Sequence, residues 1–167
     1  MFSANWIMYV EDRFKLVRKV RDEVMIGEWG MDEKEVYSNR DYYAFHLIIT
    51  DDDKGGEPIA CARIRVDMEH HVHGDHDHDH GDEYICIGDI AVRKEYRMIN
   101  YAELALRMLL YKAQKLSPQS IEAFIREDEF AMYKRFGFTE KGRENGKIHV
   151  AVPRDKVLWP SECKGDD

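Results

Sequence analysis

Long hydrophobic runs, clustered basic residues and paired cysteines are all scarce in this chain of 167 residues. No stretch approaches the roughly 18 uncharged apolar residues that a membrane span needs. The apolar run near the N-terminus is short and acidic residues follow it at once, which is unlike a secretory signal. Lys and Arg are not gathered into the basic patch that a duplex nucleic acid requires. We therefore expect neither a membrane nor a nucleic acid as a partner.

Cysteine occurs only as Cys61, Cys86 and Cys163. The number is odd and the spacing is not that of a metal knuckle, so we expect reduced thiols and a cytoplasmic location. The remaining composition, with 44% hydrophobic and 35% charged residues, is that of an ordinary globular protein. The length suits one domain over residues 1–167.

The acidic charge is concentrated in one segment, residues 68–83. Its six acids account for -6 of the formal net charge of -8, which leaves -2 for the rest of the chain. Imidazole and carboxylate groups suit Zn, Ni, Co or Cu, but a flexible loop loses entropy when it orders around an ion. Weak metal binding and a merely solvated insertion both stay open, and we assign no residue as a metal ligand. The segment holds six of the eight histidines: His70, His71, His73, His76, His78 and His80.

Hydrophobic periodicity predicts the element order β-α-β-β-β-α-β-α-β-β. The fold class is α/β (or α+β), a mixed sheet with helices packed on it. Strand 84–92 is almost continuously apolar, which indicates burial on both faces. Strands are predicted at 6–10, 42–50, 57–67, 84–92, 120–126, 138–141 and 147–152, and helices at about 11–27, 101–116 and 128–136.

The connection from strand 84–92 into the helix at 101–116 is the segment best suited to chemistry. The first N–H groups of a helix have no intrahelical partners, and with the helix dipole they suit a phosphate. Arg97 adds a positive charge, Asn100 can adopt the left-handed conformation typical of glycine, and Ala102 is small. The same residue types also fit a plain strand-to-helix connection, so both interpretations stay open.

Several motifs together resemble the GNAT N-acetyltransferase superfamily. Arg97-x-x-Asn100-x-Ala102 follows that family's Arg/Gln-x-x-Gly-x-Gly/Ala loop with its central glycine replaced, and Met98 stands where relatives often carry glycine. Tyr133-Lys134-Arg135-Phe136-Gly137-Phe138 follows the Tyr-x-x-x-Gly-Phe signature of the last helix and strand. Segments 20–31, 41–47 and 145–150 are similar to a small bacterial branch, the ElaA-like and YjcF-like acetyltransferases. The resemblance runs from about residue 6 to residue 153.

This resemblance implies a mostly antiparallel, twisted GNAT-like sheet whose parallel central strands, 84–92 and 120–126, splay apart to admit acetyl-CoA as cosubstrate. The backbone of Ile90, Ala91 and Val92 would pair with the pantetheine arm like an added strand, and an N–H there could stabilise the oxyanion. The amide groups that would hold the pyrophosphate belong to Arg97, Met98, Ile99, Asn100, Tyr101 and Ala102.

The resemblance also implies catalytic roles. Tyr133 occupies the general-acid position, where it would contact CoA and protonate the departing thiolate; a tyrosine that only packs is the alternative. Asp89, His149 and His46 are candidates for the general base, with a hydrogen-bonded structural role, or a water chain as the base, as alternatives. Three further charged residues could line the acceptor pocket (Glu28) or reach the CoA phosphates (Lys134 and Arg135).

We therefore expect an N-acetyltransferase that moves an acetyl group from acetyl-CoA to a primary amine of a small molecule, or of a peptide, by direct attack in a ternary complex. Two alternatives come from other classes: a non-catalytic module that senses acyl-CoA, and a metal-binding protein built around residues 68–83. Homodimers are common among the relatives that the chain resembles.

Overall fold

The computed structural model describes residues 1–66 and 84–161, so the histidine-rich segment and Cys163 lie outside the described residues. The helices are α1 (Phe14–Arg21), a π-helix (Asp22–Glu28), α2 (Glu33–Val36), α3 (Tyr101–Lys115) and α4 (Phe130–Arg135). The strands are β1 (Phe2–Ile7), β2 (Phe45–Asp51), β3 (Glu57–Val66), β4 (Tyr84–Val92), β5 (Ser120–Ile125), β6 (Thr139–Glu144) and β7 (Lys147–Pro153).

The strands form one seven-stranded sheet in the order β1-β2-β3-β4-β5-β7-β6. The pairs β1–β2, β2–β3, β5–β7 and β6–β7 are antiparallel, and β4–β5 is parallel. The predicted mixed, mostly antiparallel sheet with flanking helices is confirmed. No helix among the described residues has the length and apolar character needed to cross a bilayer.

The chain divides into two compact units. Among the described residues, the first unit contains residues 1–66 and 87–112, and the second contains 84–86 and 113–161. Strand β4 passes from the second unit into the first after Cys86. Within the second unit, β4 pairs with β5 from Tyr84 opposite Ser120 to Cys86 opposite Glu122. The organisation as one domain stays a prediction.

The first unit has a core that the sequence pattern indicates well. Phe14, Val17, Val20 and Val24 recur every three or four residues and are all buried, because that spacing places them on one helix face. The helix that was predicted to end near Gly27 continues beyond Arg21 as the π-helix and ends at Glu28, close to the predicted position. A hydrogen bond of 2.9 Å, donated by the Trp29 amide to the Val24 carbonyl, closes its wider turn.

The first strand differs from its predicted position at 6–10. It spans Phe2–Ile7 and pairs with β2 from Phe2 opposite Asp51 to Ile7 opposite His46. Since β2 begins at Phe45, β1 has almost no partner residues left beyond Ile7. Val10, counted in the predicted strand for its apolar side chain, is exposed.

In the second unit, the position after α4 in the Tyr-x-x-x-Gly-Phe signature requires glycine. Gly137 has φ of +99°, and a Cβ placed there would lie 3.0 Å from the Lys156 carbonyl oxygen. The Leu158 amide donates a 2.9 Å hydrogen bond to the Phe136 carbonyl, which holds this C-terminal segment against the turn. Glycine is therefore required both by backbone conformation and by close approach.

Candidate functional site

Two consecutive residues in the middle of strand β4 have positive φ. Gly88 has φ of +140° and Asp89 has φ of +53°. Left-handed backbone at a non-glycine residue costs free energy and persists only where the surroundings fix it, although aspartate tolerates it better than most residues. After this irregularity, Ile90 and Ala91 are buried and Val92 is partly exposed.

Asp89 is fixed by an ion pair inside the first unit. Arg63 Nη2 lies 2.5 Å from Asp89 Oδ2, and the Asp89 side chain is 32% exposed. The same guanidinium donates through Nη1 to Asp41 Oδ1 at 2.7 Å. Arg63 therefore bridges the carboxylates of Asp41 and Asp89.

Asp41 connects that pair to a deeply buried cluster. Arg21 Nη1 donates to Asp41 Oδ2 at 3.1 Å, and both side chains are 1% exposed. Burial works against the charge of Asp41, but the guanidinium groups of Arg21 and Arg63 outweigh it and lower the pKa of this carboxyl. We call Arg21, Asp41, His46, Arg63 and Asp89 the buried charge cluster.

His46 is completely enclosed within this cluster. Its Nε2 lies 2.9 Å from the Asp41 backbone oxygen and its Nδ1 lies 3.4 Å from Arg21 Nη2. Burial lowers the pKa of His46 to about 4, and the guanidinium of Arg21 contributes in the same direction. The alternative of a hydrogen-bonded structural residue therefore describes His46.

Arg97 is engaged in protein contacts. Its Nε and Nη2 donate to the Val92 carbonyl at 2.9 Å and 2.7 Å, and its guanidinium forms a close ion pair with Glu28 at the end of the π-helix. The hydrogen bond from Arg97 lowers the pKa of Glu28. Arg97 thus ties the end of β4 to the π-helix, a contact that sequence spacing did not reveal.

Asn100 does not replace glycine in the way that the sequence suggested. It is absent from the described residues with positive φ and instead caps α3. Its Oδ1 accepts a hydrogen bond of 3.2 Å from the Glu103 amide, and its Nδ2 lies 3.3 Å from Glu103 Oε1. The expectation of a left-handed Asn100 was wrong, because this side chain satisfies a helix-end amide from an ordinary N-cap position.

The loop before α3 still presents unsatisfied donors. The amides of Arg97 and Tyr101 donate to Lys94 and Ile99 carbonyls. Four other backbone N–H groups of this loop and of the first turn of α3 have no acceptor within the described part of the chain. The Met98 side chain does not cover them, because it is 95% exposed. This fits the phosphates of CoA, which need backbone donors and an approach that no side chain fills. The four amides belong to Met98, Ile99, Asn100 and Ala102, and we call them the amide cradle.

Tyr133 belongs to the second unit and lies on α4. Its side chain is completely buried, and its ring meets Phe138 edge to face with 5.1 Å between centroids. Lys134, expected near the CoA phosphates, places its ammonium 4.7 Å from the centroid of the Phe130 ring. The signature segment thus serves packing, and a catalytic role of Tyr133 stays a prediction.

His149, also in the second unit, has a partner that the sequence analysis missed. Its Nε2 lies 2.7 Å from Glu122 Oε1, with the two side chains 28% and 18% exposed. The ring stacks on Phe124 at 4.5 Å with 13° between the planes. The alternation of Ser120, Glu122 and Phe124 with apolar residues along β5 was the available signal for a polar sheet face.

A metal site finds no support within residues 1–66 and 84–161. No group of three His, Cys, Asp or Glu side chains in those ranges is placed to hold an ion. The segment for which weak metal binding was considered, from His70 to His80, lies outside the described residues.

Comparisons with known proteins agree with this architecture. A sequence model of the Acetyltransferase (GNAT) family matches residues 14–138. No curated protein matches the chain. Among solved structures, ElaA of Escherichia coli is similar with a TM-score of 0.69 and 17% identity, over 90% of this chain and 99% of that one.

Two further structures are similar. The ribosomal-protein-S18-alanine N-acetyltransferase of Escherichia coli has a TM-score of 0.63 and 15% identity, over 98% of each chain. A chain of the NatC complex bound to Gag peptide and CoA has a TM-score of 0.64 and 17% identity, over 91% of this chain and 98% of that one. At such identities the structures establish the fold alone.

Proposed function

The chain belongs to the GNAT acetyltransferase family, and from this premise we propose that it transfers an acetyl group from acetyl-CoA to a primary amine. The proposed acceptor is a small molecule, with a peptide amine as the other candidate. The observation that carries the proposal is the amide cradle at Met98, Ile99, Asn100 and Ala102, where the first unit presents donors without partners in front of a long helix. These donors suit the two phosphates that link the adenosine and pantetheine parts of CoA.

The end of β4 and the loop after it are proposed to bind acetyl-CoA. Ile90, Ala91 and Val92 offer backbone groups to the pantetheine arm, and an N–H there faces the developing oxyanion. Arg97 binds no phosphate directly in this proposal, since its guanidinium already holds Val92 and Glu28. Arg97 instead holds the end of β4 in place, and the loop that contains the amide cradle begins there.

Proton transfer is assigned to two residues. Tyr133 gives a proton to the thiolate of CoA as it leaves, and His149 accepts a proton from the amine. Asp89 stays a second candidate for the base, but its ion pair with Arg63 favours a role as a fixed charge. Tyr133→Phe is expected to keep the affinity for acetyl-CoA and to lower kcat, and an unchanged kcat would remove the role.

The amide cradle itself is tested by Ala102→Asp. An acidic residue in the first turn of a helix is favourable for folding, but its charge repels a bound diphosphate. We expect the Kd for acetyl-CoA, measured by calorimetry, to rise about 100-fold or more through like-charge repulsion near the site. Ala102→Gln, which adds a neutral side chain of greater size, is the control and should weaken binding much less.

Thiol release from acetyl-CoA over a panel of small amines and short peptides then tests transfer. Acceptor-dependent release by the wild type supports the enzyme. Acetyl-CoA binding without thiol release for any amine would instead favour an acyl-CoA sensor.

A further inference from the structure

The face of the second unit that carries His149 is built from alternating side chains. On β5, Ser120, Glu122 and Phe124 are partly exposed and alternate with three buried apolar residues. Across the ladder, Phe124 lies opposite His149 and Glu122 lies opposite Ala151. Because Ala151 is small, the Glu122 carboxylate has room to reach its diagonal neighbour, and it meets His149 Nε2 at 2.7 Å.

The imidazole is held in one orientation. The Phe124 ring lies nearly parallel to it, which fixes the plane of the ring. Both oxygens of Glu122 are used, since Oε1 meets His149 and Oε2 accepts a hydrogen bond of 3.1 Å from Ser120 Oγ. The carboxylate is therefore anchored at one end and orients the histidine at the other.

This contact determines which ring nitrogen can accept a proton. An ionised carboxylate has no proton to donate, so the hydrogen bond with Glu122 places the ring proton on Nε2. In a neutral imidazole the other nitrogen, Nδ1, then carries the lone pair. Nδ1 is thus the proton-accepting atom of His149.

The imidazole is also accessible from the side of β6. His149 lies opposite Gly142, and a Cβ placed at Gly142 would meet nothing within 4 Å. His149 keeps 28% of its side-chain surface exposed. A larger residue at 142 would cover this side of the ring, so the glycine leaves an approach for a substrate group.

We propose that Glu122 is a positioning residue that holds His149 with Nδ1 directed to take the proton of the attacking amine. The assignment rests on the proposed acetyl transfer. As the amine nitrogen bonds to the thioester carbon, its proton moves to Nδ1, and the C–S bond breaks with its electron pair on sulfur. The sulfur gains a proton from Tyr133, and the proton taken up at Nδ1 is later returned to Tyr133 through solvent, so that amine and thioester become amide and thiol without any oxidation.

The test compares kcat and KM in four variants of the full chain. His149→Asn should lower kcat about 100-fold, and Glu122→Gln about tenfold, with the KM for acetyl-CoA unchanged in both. The double variant should be no slower than His149→Asn, because the two residues act as a unit. Glu140→Gln changes an exposed carboxylate of the same sheet and should leave kcat unchanged.

A spectroscopic measurement separates positioning from folding. Nitrogen NMR of the wild type labelled with ¹⁵N-histidine should give the Nε2–H tautomer for His149, assigned by comparison with His149→Asn. In Glu122→Gln that tautomer should become a mixture. If Glu122→Gln fails to fold, Ser120→Ala loosens the same carboxylate and should lower kcat about threefold, the effect of one hydrogen bond.

The possible failures are distinct. A wild type that releases no thiol with any amine overturns the proposed function and this assignment with it. An active wild type whose kcat is unaffected by Glu122→Gln, or whose His149 is the Nδ1–H tautomer, overturns the assignment alone and leaves acetyl transfer in place.

Discussion

Two histidines of this protein have an oxygen partner on an aspartate or glutamate, yet their surroundings give them opposite properties. His46 is 0% exposed and lies between Asp41 and the guanidinium of Arg21, so its pKa is low and its ring is closed to substrates. His149 lies on a half-exposed sheet face beside Glu122 and faces the open position at Gly142. Burial and a neighbouring cation make a structural histidine, whereas an anchored carboxylate and an open side make one suited to proton transfer.

The strongest way to test this contrast is to neutralise the carboxylate in each region. Asp41→Asn leaves the buried cations Arg21 and Arg63 without their shared anion, and we expect it to lower the free energy of unfolding by about 3–5 kcal/mol. Glu122→Gln, the same chemical change on the half-exposed face, should cost about 1 kcal/mol. Urea unfolding of both variants measures the difference. Equal losses would contradict the contrast.

The second expected effect is a loss of stability at acidic pH that is caused by His46. The unfolded chain protonates this histidine below its ordinary pKa of 6.5, whereas the native protein does not until about pH 4. The unfolded state therefore binds more protons in this window, and stability falls by about 3 kcal/mol as the pH falls from 6.5 to 4. Asp41, whose pKa is lowered from 3.8, adds a further loss as the pH falls below that value.

Unfolding curves of the wild type and His46→Gln over this pH range provide the measurement. The difference between them isolates His46 from the other seven histidines. The variant should lose less stability on acidification than the wild type. Parallel curves would mean that His46 does not titrate as its burial indicates.

Arg63→Gln should have an intermediate effect, because it removes the link between the buried charge cluster and the irregular part of β4. Asp41 and Asp89 would each lose a guanidinium donor, at an expected cost of about 1–3 kcal/mol in unfolding free energy. Arg126→Gln, in a surface pair with Asp128, is the matched control and should cost less than 1 kcal/mol, roughly the range of exposed pairs. A loss for Arg63→Gln no larger than that of the control would show that the cluster does not support β4.

The smallest expected effect concerns the ring under His149. Phe124→Leu keeps an apolar side chain but removes the parallel stacking, which is worth about 0.5–1.5 kcal/mol. We expect kcat to fall by about two- to tenfold, the same range expressed as a rate. Phe130→Leu, on α4, serves as the aromatic control. A fall in kcat of equal size in both variants would argue against a specific role of the stacking.

The sequence predicted the elements better than the contacts. Strand 84–92 matches the observed bounds and helix 101–116 matches within one residue, because continuous apolar runs and a Ser-Pro break are local signals. The pattern Asn100-x-x-Glu103 is also local and could have identified the helix cap. The expectation that Asn100 adopts the left-handed conformation of glycine was wrong.

The contacts within the candidate site could not be predicted from local sequence patterns. Asp41 is separated from Arg21 and Arg63 by 20 and 22 residues, and Glu122 is 27 residues from His149. Such pairs depend on strand register, since a shift by one residue would turn Glu122 to the opposite face. The positive φ of Asp89 likewise has no sequence signal apart from the preceding Gly88.

Position 142 is suitable for introducing a labelled side chain beside His149. Its backbone lies outside the positive-φ region and its surroundings are open, so other amino acids fit there without strain. A cysteine installed at this position could carry a fluorophore next to His149. Because such a label would cover the exposed side of the His149 ring, acetyl transfer should slow once the label is attached.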